Sequence, residues 1–268
     1  MNTIIISTII IGLVGLILGA ALVTASKKFY VETDDRVTKV RECLRGANCG
    51  ACGYAGCDAV AEAIVKGEAR VDACPGNSTE NIAKIAAILG KETVDQDPQV
   101  AYVQCAGTCG VTKPKAEYVG IPDCRAAVLS GLNFGSCEYG CLGLGSCVSV
   151  CPQGAISIQD GIAVVNPRMC VGCGLCAKQC PQGVIALVPE TAKSVVACSN
   201  RDKGAMTRKA CSIGCIGCMK CAKNCEADAI TVSGNLAAID YAKCTGCGKC
   251  AEVCTTGCIR LVDLAVHA

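Results

Sequence analysis

Three stretches of the sequence repeat the cysteine spacing C-x2-C-x2-C-x3-C. The cysteines of these runs are Cys170, Cys173, Cys176 and Cys180; Cys215, Cys218, Cys221 and Cys225; and Cys244, Cys247, Cys250 and Cys254. Runs of this form bind [4Fe–4S] clusters, because three thiolates hold one cluster and the fourth holds its neighbour. Zinc sites draw instead on two separated Cys-x2-Cys pairs. The spacing therefore predicts clusters that carry single electrons.

These three runs and a fourth, incomplete run at residues 141–151 pair into two modules of two clusters each. The second module is complete, with the last cysteine of each run, Cys225 or Cys254, crossing to the other cluster. In the first module, Cys151 crosses in the same way to the run that starts at Cys170. We expect three complete four-cysteine sets from these pairings alone.

One cluster of the first module lacks a ligand in its own run, because Leu144 occupies the second ligand position. The cysteines that remain for this cluster are Cys141, Cys147 and Cys180. Four residues before Cys141 lies Cys137, which is near enough to replace the missing ligand. The alternatives are Cys198, Cys211 or a three-iron cluster.

A further set precedes the modules, with the spacing C-x2-C-x4-C-x16-C. Its members are Cys49, Cys52, Cys57 and Cys74. Glycines between them permit the close backbone approach that a cluster requires. A zinc knuckle is the alternative.

A sixth cluster is the least defined. Cys105, Cys109 and Cys124 are close enough in sequence to cooperate, and Cys198 or Cys211 could complete the set if Cys137 serves the first module. Six clusters would leave three of the 27 cysteines over, and Cys43 and Cys258 are the first candidates. We therefore predict five or six [4Fe–4S] clusters.

Composition excludes other classes of protein. The 268 residues contain 27 cysteines, an odd number, whereas disulfide scaffolds are usually short and have an even count. The chain has no Trp and two Phe, so metal ligation must supply much of the folding free energy. A net charge of +2 argues against a nucleic-acid partner.

The uncharged segment from residue 3 to residue 26 predicts a transmembrane helix, because about 20 apolar residues span a bilayer. Lys27 and Lys28 follow at once, which places the rest of the chain in the cytoplasm. Gly15 and Gly19 form a GxxxG step that would let another helix approach closely, or else reflect the ordinary glycine enrichment of membrane helices.

Secondary-structure signals are short elsewhere. Residues 29–46 suit a helical connector, and a helix capped by Asn77 and stopped by Gly90 is predicted next. Residues 91–104 are typical of a linker. Hairpins are predicted in AISIQDGIAVV and, about 74 residues later, in AITVSGNLAAI, which indicates an internal duplication.

These signals predict an α+β fold with an N-terminal transmembrane helix, a small helical single-cluster domain and two bacterial-type, two-cluster ferredoxin-like modules. The predicted boundaries are 1–26 for the transmembrane helix, 27–90 for the single-cluster domain, 91–136 for a linker with extra ligands, 137–190 for the first module, 191–210 for a basic linker and 211–268 for the second module.

The order of one membrane helix, GANCGACGYAGC…CPG and repeated ferredoxin motifs resembles the B subunit of the Rnf complex, in the long form of anaerobic bacteria. The resemblance covers essentially the whole chain. It implies an electron-transfer subunit of a membrane-bound ferredoxin:NAD+ oxidoreductase (a translocase of Na+ or H+) in the bacterial cytoplasmic membrane. Reduced ferredoxin would be the donor, and other membrane and flavin-bearing subunits would be the partners.

We see no catalytic residue and no nicotinamide or flavin site in the chain itself. A basic cluster between the two modules is a candidate surface for acidic ferredoxin, or else a solvated face. Its residues are Lys193, Arg201, Lys203, Arg208, Lys209, Lys220 and Lys223. The competing functions are a polyferredoxin for another membrane enzyme, such as a hydrogenase, and a zinc-stabilised membrane adaptor.

Overall fold

The computed structural model describes residues 12–24, 34–91, 98–112, 115–131 and 134–264. Residues 12–24 are helical (α1) and expose large apolar side chains such as Leu16 and Leu22. The remainder of the predicted span, residues 3–11 and 25–26, lies outside the described residues. Among the residues described, no helix has both the length and the apolar character needed to cross a bilayer.

A helical domain follows, made of α2 (Asp35–Glu42), α3 (Cys57–Lys66) and α4 (Thr79–Leu89). Its core contains buried aliphatic side chains from all three helices. The predicted connector helix and the predicted helix before Gly90 are both confirmed. The cap differs by one residue: Ser78, whose backbone is extended, accepts a hydrogen bond from the Asn81 N–H, whereas Asn77 is buried beside it.

Two hairpins occur where the sequence predicts them. In the first, β2 (Ile156–Gln159) pairs with β3 (Ile162–Val165); in the second, β6 (Ile230–Ser233) pairs with β7 (Leu236–Ile239). The Asp160–Gly161 turn has φ values of 47° and 81°. Two successive positive φ values define the tight turn that matches strand twist.

Each hairpin is accompanied by a second antiparallel pair that no local pattern predicts. β1 (Gln99–Val103) pairs with β4 (Ile185–Pro189), and β5 (Ser194–Val196) pairs with β8 (Ile259–Leu261). The segments 91–104 and 191–210, predicted as linkers, therefore contribute strands to the modules. Strand pairing across about 85 residues outweighs the weak local signal of a short segment.

Short helices carry the cysteine loops. They are α5 (Cys124–Leu129), α6 (Ser146–Ser149), a 3-10 turn (Pro167–Met169), α7 (Leu175–Gln179), α8 (Gly204–Ala210), α9 (Lys220–Lys223) and α10 (Lys249–Glu252). Three of them begin after a left-handed glycine: Gly145, Gly174 and Gly248. The mixture of helix and strand confirms the α+β class. The duplication is also visible, since each module contains a flanking strand pair around a hairpin.

Candidate iron–sulfur cluster sites

All 27 cysteines lie within the described residues, and none is in a disulfide. Most of them line cavities, with four or five cysteines around each. No three His, Cys, Asp or Glu side chains in the described parts of the chain are arranged to hold one single metal ion. We number the groups as sites 1 to 6.

Site 1 contains the four cysteines of the helical domain. Cys49, Cys52, Cys57 and Cys74 line one cavity of about 420 Å³. Asn48, at φ 47°, accepts a 2.8 Å hydrogen bond from the Cys57 N–H and so fixes the loop at the start of α3. Burial raises the pKa of the Cys74 thiol. Because cluster binding requires thiolates, loading iron here releases protons.

Site 2 contains Cys151, Cys170, Cys173 and Cys176, which line a cavity of about 330 Å³. Backbone N–H groups point at its sulfurs: Ala101 donates to Cys170 Sγ over 3.4 Å, and Ala155 donates to Cys151 Sγ over 3.3 Å. The first donor belongs to β1, so the unpredicted strand forms part of the site. Burial raises the pKa of Cys176 to about 12.

Site 3 brings Cys124 to the incomplete set. Cys124, Cys141, Cys147 and Cys180 line a cavity of about 350 Å³, and Cys137 is not among its lining residues. The Cys124 N–H donates to Ser146 Oγ over 2.6 Å. Asp123 Oδ2 in turn accepts from Ser146 Oγ over 2.7 Å, while Asp123 caps α5.

The contacts of the Asp123 side chain also change the pKa of its carboxyl group. The backbone hydrogen bond from Ala126, and then the Ser146 hydroxyl, hold the pKa of Asp123 below its usual value. The negative charge of Asp123 thus secures the start of α5, where Cys124 is the first residue. Asp123 is the sequence signal for the placement of Cys124, since a capping residue directly before a cysteine puts that cysteine at the start of a helix.

Site 4 joins the two modules. Cys105, Cys137, Cys198 and Cys211 line a cavity of about 500 Å³, which Cys141 also reaches. Asn200, only 1% exposed, donates from Nδ2 to Cys137 Sγ over 3.2 Å and from its backbone N–H to Cys198 Sγ over 3.4 Å. Burial raises the pKa of Cys137 and of Cys211. Cys109 and Cys124, which sequence proximity groups with Cys105, do not line this cavity.

Sites 5 and 6 lie in the second module. Site 5 contains Cys215, Cys218, Cys221 and Cys254, which line a cavity of about 350 Å³. Site 6 is the set that the spacing of the runs assigns, Cys225, Cys244, Cys247 and Cys250. The last three are close enough for their charges to interact, and the Ala229 N–H donates to Cys225 Sγ over 3.4 Å. This bond repeats the one from Ala155 to Cys151 in site 2.

Three cysteines belong to none of the six sets. Cys43 packs against the core of the helical domain. Cys109 is exposed, and its N–H donates to the Asp160 carbonyl in the first hairpin turn. Cys258 is 1% exposed and lies beside site 5.

The donor sets fit iron–sulfur clusters. Thiols in sets of four, most of them buried or partly buried, with backbone N–H groups directed at several of their sulfurs, provide the ligation and the hydrogen bonds that clusters require. The fold and these sites define a ferredoxin-type iron–sulfur protein with several cluster sites.

Comparison with known proteins agrees with this class. The family model described as "Putative Fe-S cluster" matches residues 44–75, which contain site 1. The 4Fe-4S dicluster domain matches residues 136–184 and 214–259. Both ferredoxin-like modules are therefore 4Fe-4S domains.

Relatives match across nearly the whole chain. The B subunit of the Na+-translocating ferredoxin:NAD+ oxidoreductase complex of Acetobacterium woodii is 45% identical over 91% of this chain and 73% of that protein. The proton-translocating counterpart of Clostridium ljungdahlii is 43% identical over 90% of this chain and 85% of its own length. The B subunit of the ion-translocating oxidoreductase complex of Methanosarcina acetivorans is 40% identical over 91% and 93%, respectively. The chain belongs to this family of B subunits of ion-translocating oxidoreductase complexes.

Proposed function

We propose that the chain takes electrons from reduced ferredoxin and relays them through six [4Fe–4S] clusters to the membrane subunits of a ferredoxin:NAD+ oxidoreductase that translocates Na+ or H+. The observation that carries the proposal is the direct contact of site 4 with sites 3 and 5, together with the contact of site 1 with site 2. A bound [4Fe–4S] cluster gains and loses one electron at a time. The chain's own residues hold these sites next to one another.

Direct hydrogen bonds support continuity on both sides of site 4. The Cys141 N–H of site 3 donates to Cys105 Sγ over 3.4 Å, and the Cys215 N–H of site 5 donates to Cys198 Sγ over 3.3 Å. In both cases a sulfur of site 4 accepts a hydrogen bond from the backbone N–H of a cysteine in the neighbouring site. This supports site 4 as the bridge between the modules.

Sites 1 and 2 are also adjacent. Val171 and Cys173 line the site 1 cavity together with its own cysteines. Gly76 allows this approach, because a Cβ added there would lie 2.5 Å from the Val171 carbonyl oxygen. Lys178 Nζ donates to the Ala51 carbonyl oxygen over 3.5 Å across the same junction.

We assign the ligands as the six sets described above, with Cys124 as the fourth ligand of site 3. The internal duplication supports site 4 independently. Cys105 and Cys198 each lie two residues after a flanking strand, β1 or β5, while Cys137 and Cys211 each lie four residues before the first cysteine of a run. Each module thus contributes the same two positions.

The second module is the proposed entry point for electrons. Cys218 of site 5 and Cys247 of site 6 are exposed, and Lys220 and Lys223 lie on the exposed part of α9 beside Cys218. All seven residues of the basic cluster are exposed. Positive charge next to an accessible site would steer an acidic electron donor to it.

Site 1 is the proposed exit, towards the membrane. We propose that residues 3–26 form a single transmembrane helix with the cluster domains on the cytoplasmic side. The apolar exposed surface of α1 supports the membrane span. The lysine pair at residues 27 and 28 supports the orientation. NAD+ reduction and ion translocation would occur in partner subunits, including flavin-bearing ones.

The test is anaerobic purification of the full chain from its own membranes, with iron and sulfide analysis and EPR of the reduced protein. We expect about 24 irons per chain, since six cubane clusters hold four each. Zinc without iron and without an EPR signal would refute the proposal. Copurification with a hydrogenase instead of the other oxidoreductase subunits would identify a polyferredoxin of a different enzyme.

A further inference from the structure

Cys258 is buried at the junction of sites 4 and 5 without belonging to either ligand set. It is 1% exposed and lines the site 5 cavity. Its carbonyl oxygen accepts a 2.9 Å hydrogen bond from the Ala197 N–H, directly before Cys198. The same core cluster contains Cys198 and Cys258.

The thiol of Cys258 is hydrogen-bonded to Cys198 Sγ of site 4 and to Cys215 Sγ of site 5. Because cluster ligands are thiolates, Cys198 Sγ and Cys215 Sγ carry no proton when a cluster is bound, so the S–H group of Cys258 is the donor. One thiol therefore stabilises negative charge on a sulfur of each site.

The duplication supplies an internal comparison. Val184 takes the same place in the first module: its carbonyl oxygen accepts a 2.6 Å bond from the Gln104 N–H directly before Cys105, it is 1% exposed and it lines the site 3 cavity. The valine side chain has no donor. The position is thus apolar in one module and carries a thiol in the other, although the backbone arrangement is the same.

We propose that Cys258 is a positioning residue that raises the reduction potentials of sites 4 and 5 through a hydrogen bond from its thiol. The proposal rests on the cluster assignment given above. A hydrogen bond to a cluster sulfur stabilises the added electron, and such bonds are among the terms that set cluster potentials. The single S–H proton is shared between the two sulfurs, so removal of the thiol lowers the potentials of both sites.

The test is an EPR-monitored redox titration of the full chain with Cys258→Val, Cys258→Ser and Val184→Cys. In Cys258→Val, which copies the first module, we expect the midpoint potentials of sites 4 and 5 each to fall by about 59 mV. This shift corresponds to a tenfold change in a one-electron reduction equilibrium. Cys258→Ser keeps a donor and should not lower them. Val184→Cys should raise two other midpoints, those of sites 3 and 4.

Iron content separates this role from ligation. We expect iron per chain to be unchanged in Cys258→Val and in Cys43→Ala, a matched variant of another cysteine outside the six sets. Unchanged midpoints in Cys258→Val with full iron would overturn the proposal, as would an equal fall in Cys258→Ser or a loss of about four irons. If Cys258→Val fails to fold, unchanged midpoints in Val184→Cys would overturn it. Failure of the cluster assignment itself would show as missing iron in the unmodified chain.

Discussion

The fourth ligand of site 3 can be tested by counting irons in pairs of cysteine variants. Cys124 and Cys147 line one cavity, whereas Cys137 lines another. Replacing two ligands of one site removes one cluster, and replacing one ligand in each of two sites removes two. Because each cluster holds four irons, Cys124→Ala/Cys147→Ala should retain about 20 irons per chain and Cys137→Ala/Cys147→Ala about 16.

The assay is iron and acid-labile sulfide per chain after anaerobic reconstitution, with Cys43→Ala as the control that keeps about 24 irons. Near-identical folding of the two double variants can be checked by circular dichroism. The opposite order of iron contents would refute the reasoning, because it would place Cys137 with Cys147 and Cys124 elsewhere. Equal losses in both variants would refute the separation of sites 3 and 4.

The same contacts support three further predictions. Charge reversal at Lys209 and Lys223 should slow reduction by ferredoxin about tenfold at low salt and much less at high salt, as measured by stopped flow, whereas Lys39→Glu in the helical domain should have no effect. Gly76→Ala should lower the free energy of unfolding by about 1–3 kcal/mol through a clash with a carbonyl oxygen of the first module, and thermal unfolding followed by absorbance would show it. Asn200→Ala removes a buried donor to a site 4 sulfur and should lower one cluster midpoint by about 60 mV with no loss of iron.

Local sequence patterns predicted the elements that depend on the backbone conformation of a few neighbouring residues. The hairpin at Asp160–Gly161 and the helix end at Gly90 each depend on backbone conformations that few residues adopt, so their positions could be read directly. β1 and β5 carry no such signal. They exist because they pair with distant strands and bury their apolar side chains, which depends on the closed module and not on the segment itself.

Sequence distance was a poor guide to which cysteine completes the lining of the site 3 cavity. Cys137 is four residues from Cys141, and Cys124 is 17 residues away. The intervening chain nevertheless returns Cys124 to the site, because Asp123 and Ser146 connect the start of α5 to the start of α6. The hydrogen bonds between the starts of α5 and α6 hold Cys124 at this site, and the spacing of the cysteines alone does not reveal them.

The duplication explains why Cys137 lies outside site 3. A module with its flanking strand presents two cysteines at one end, Cys105 and Cys137 in the first and Cys198 and Cys211 in the second. Neither pair can complete a four-ligand site alone. Joining two copies end to end brings the pairs together, so site 4 arises from the repeat itself and lies between the sites of both halves. The same joint places Cys258 between two sites in one half only, so the two modules differ there in their hydrogen bonds to sulfur.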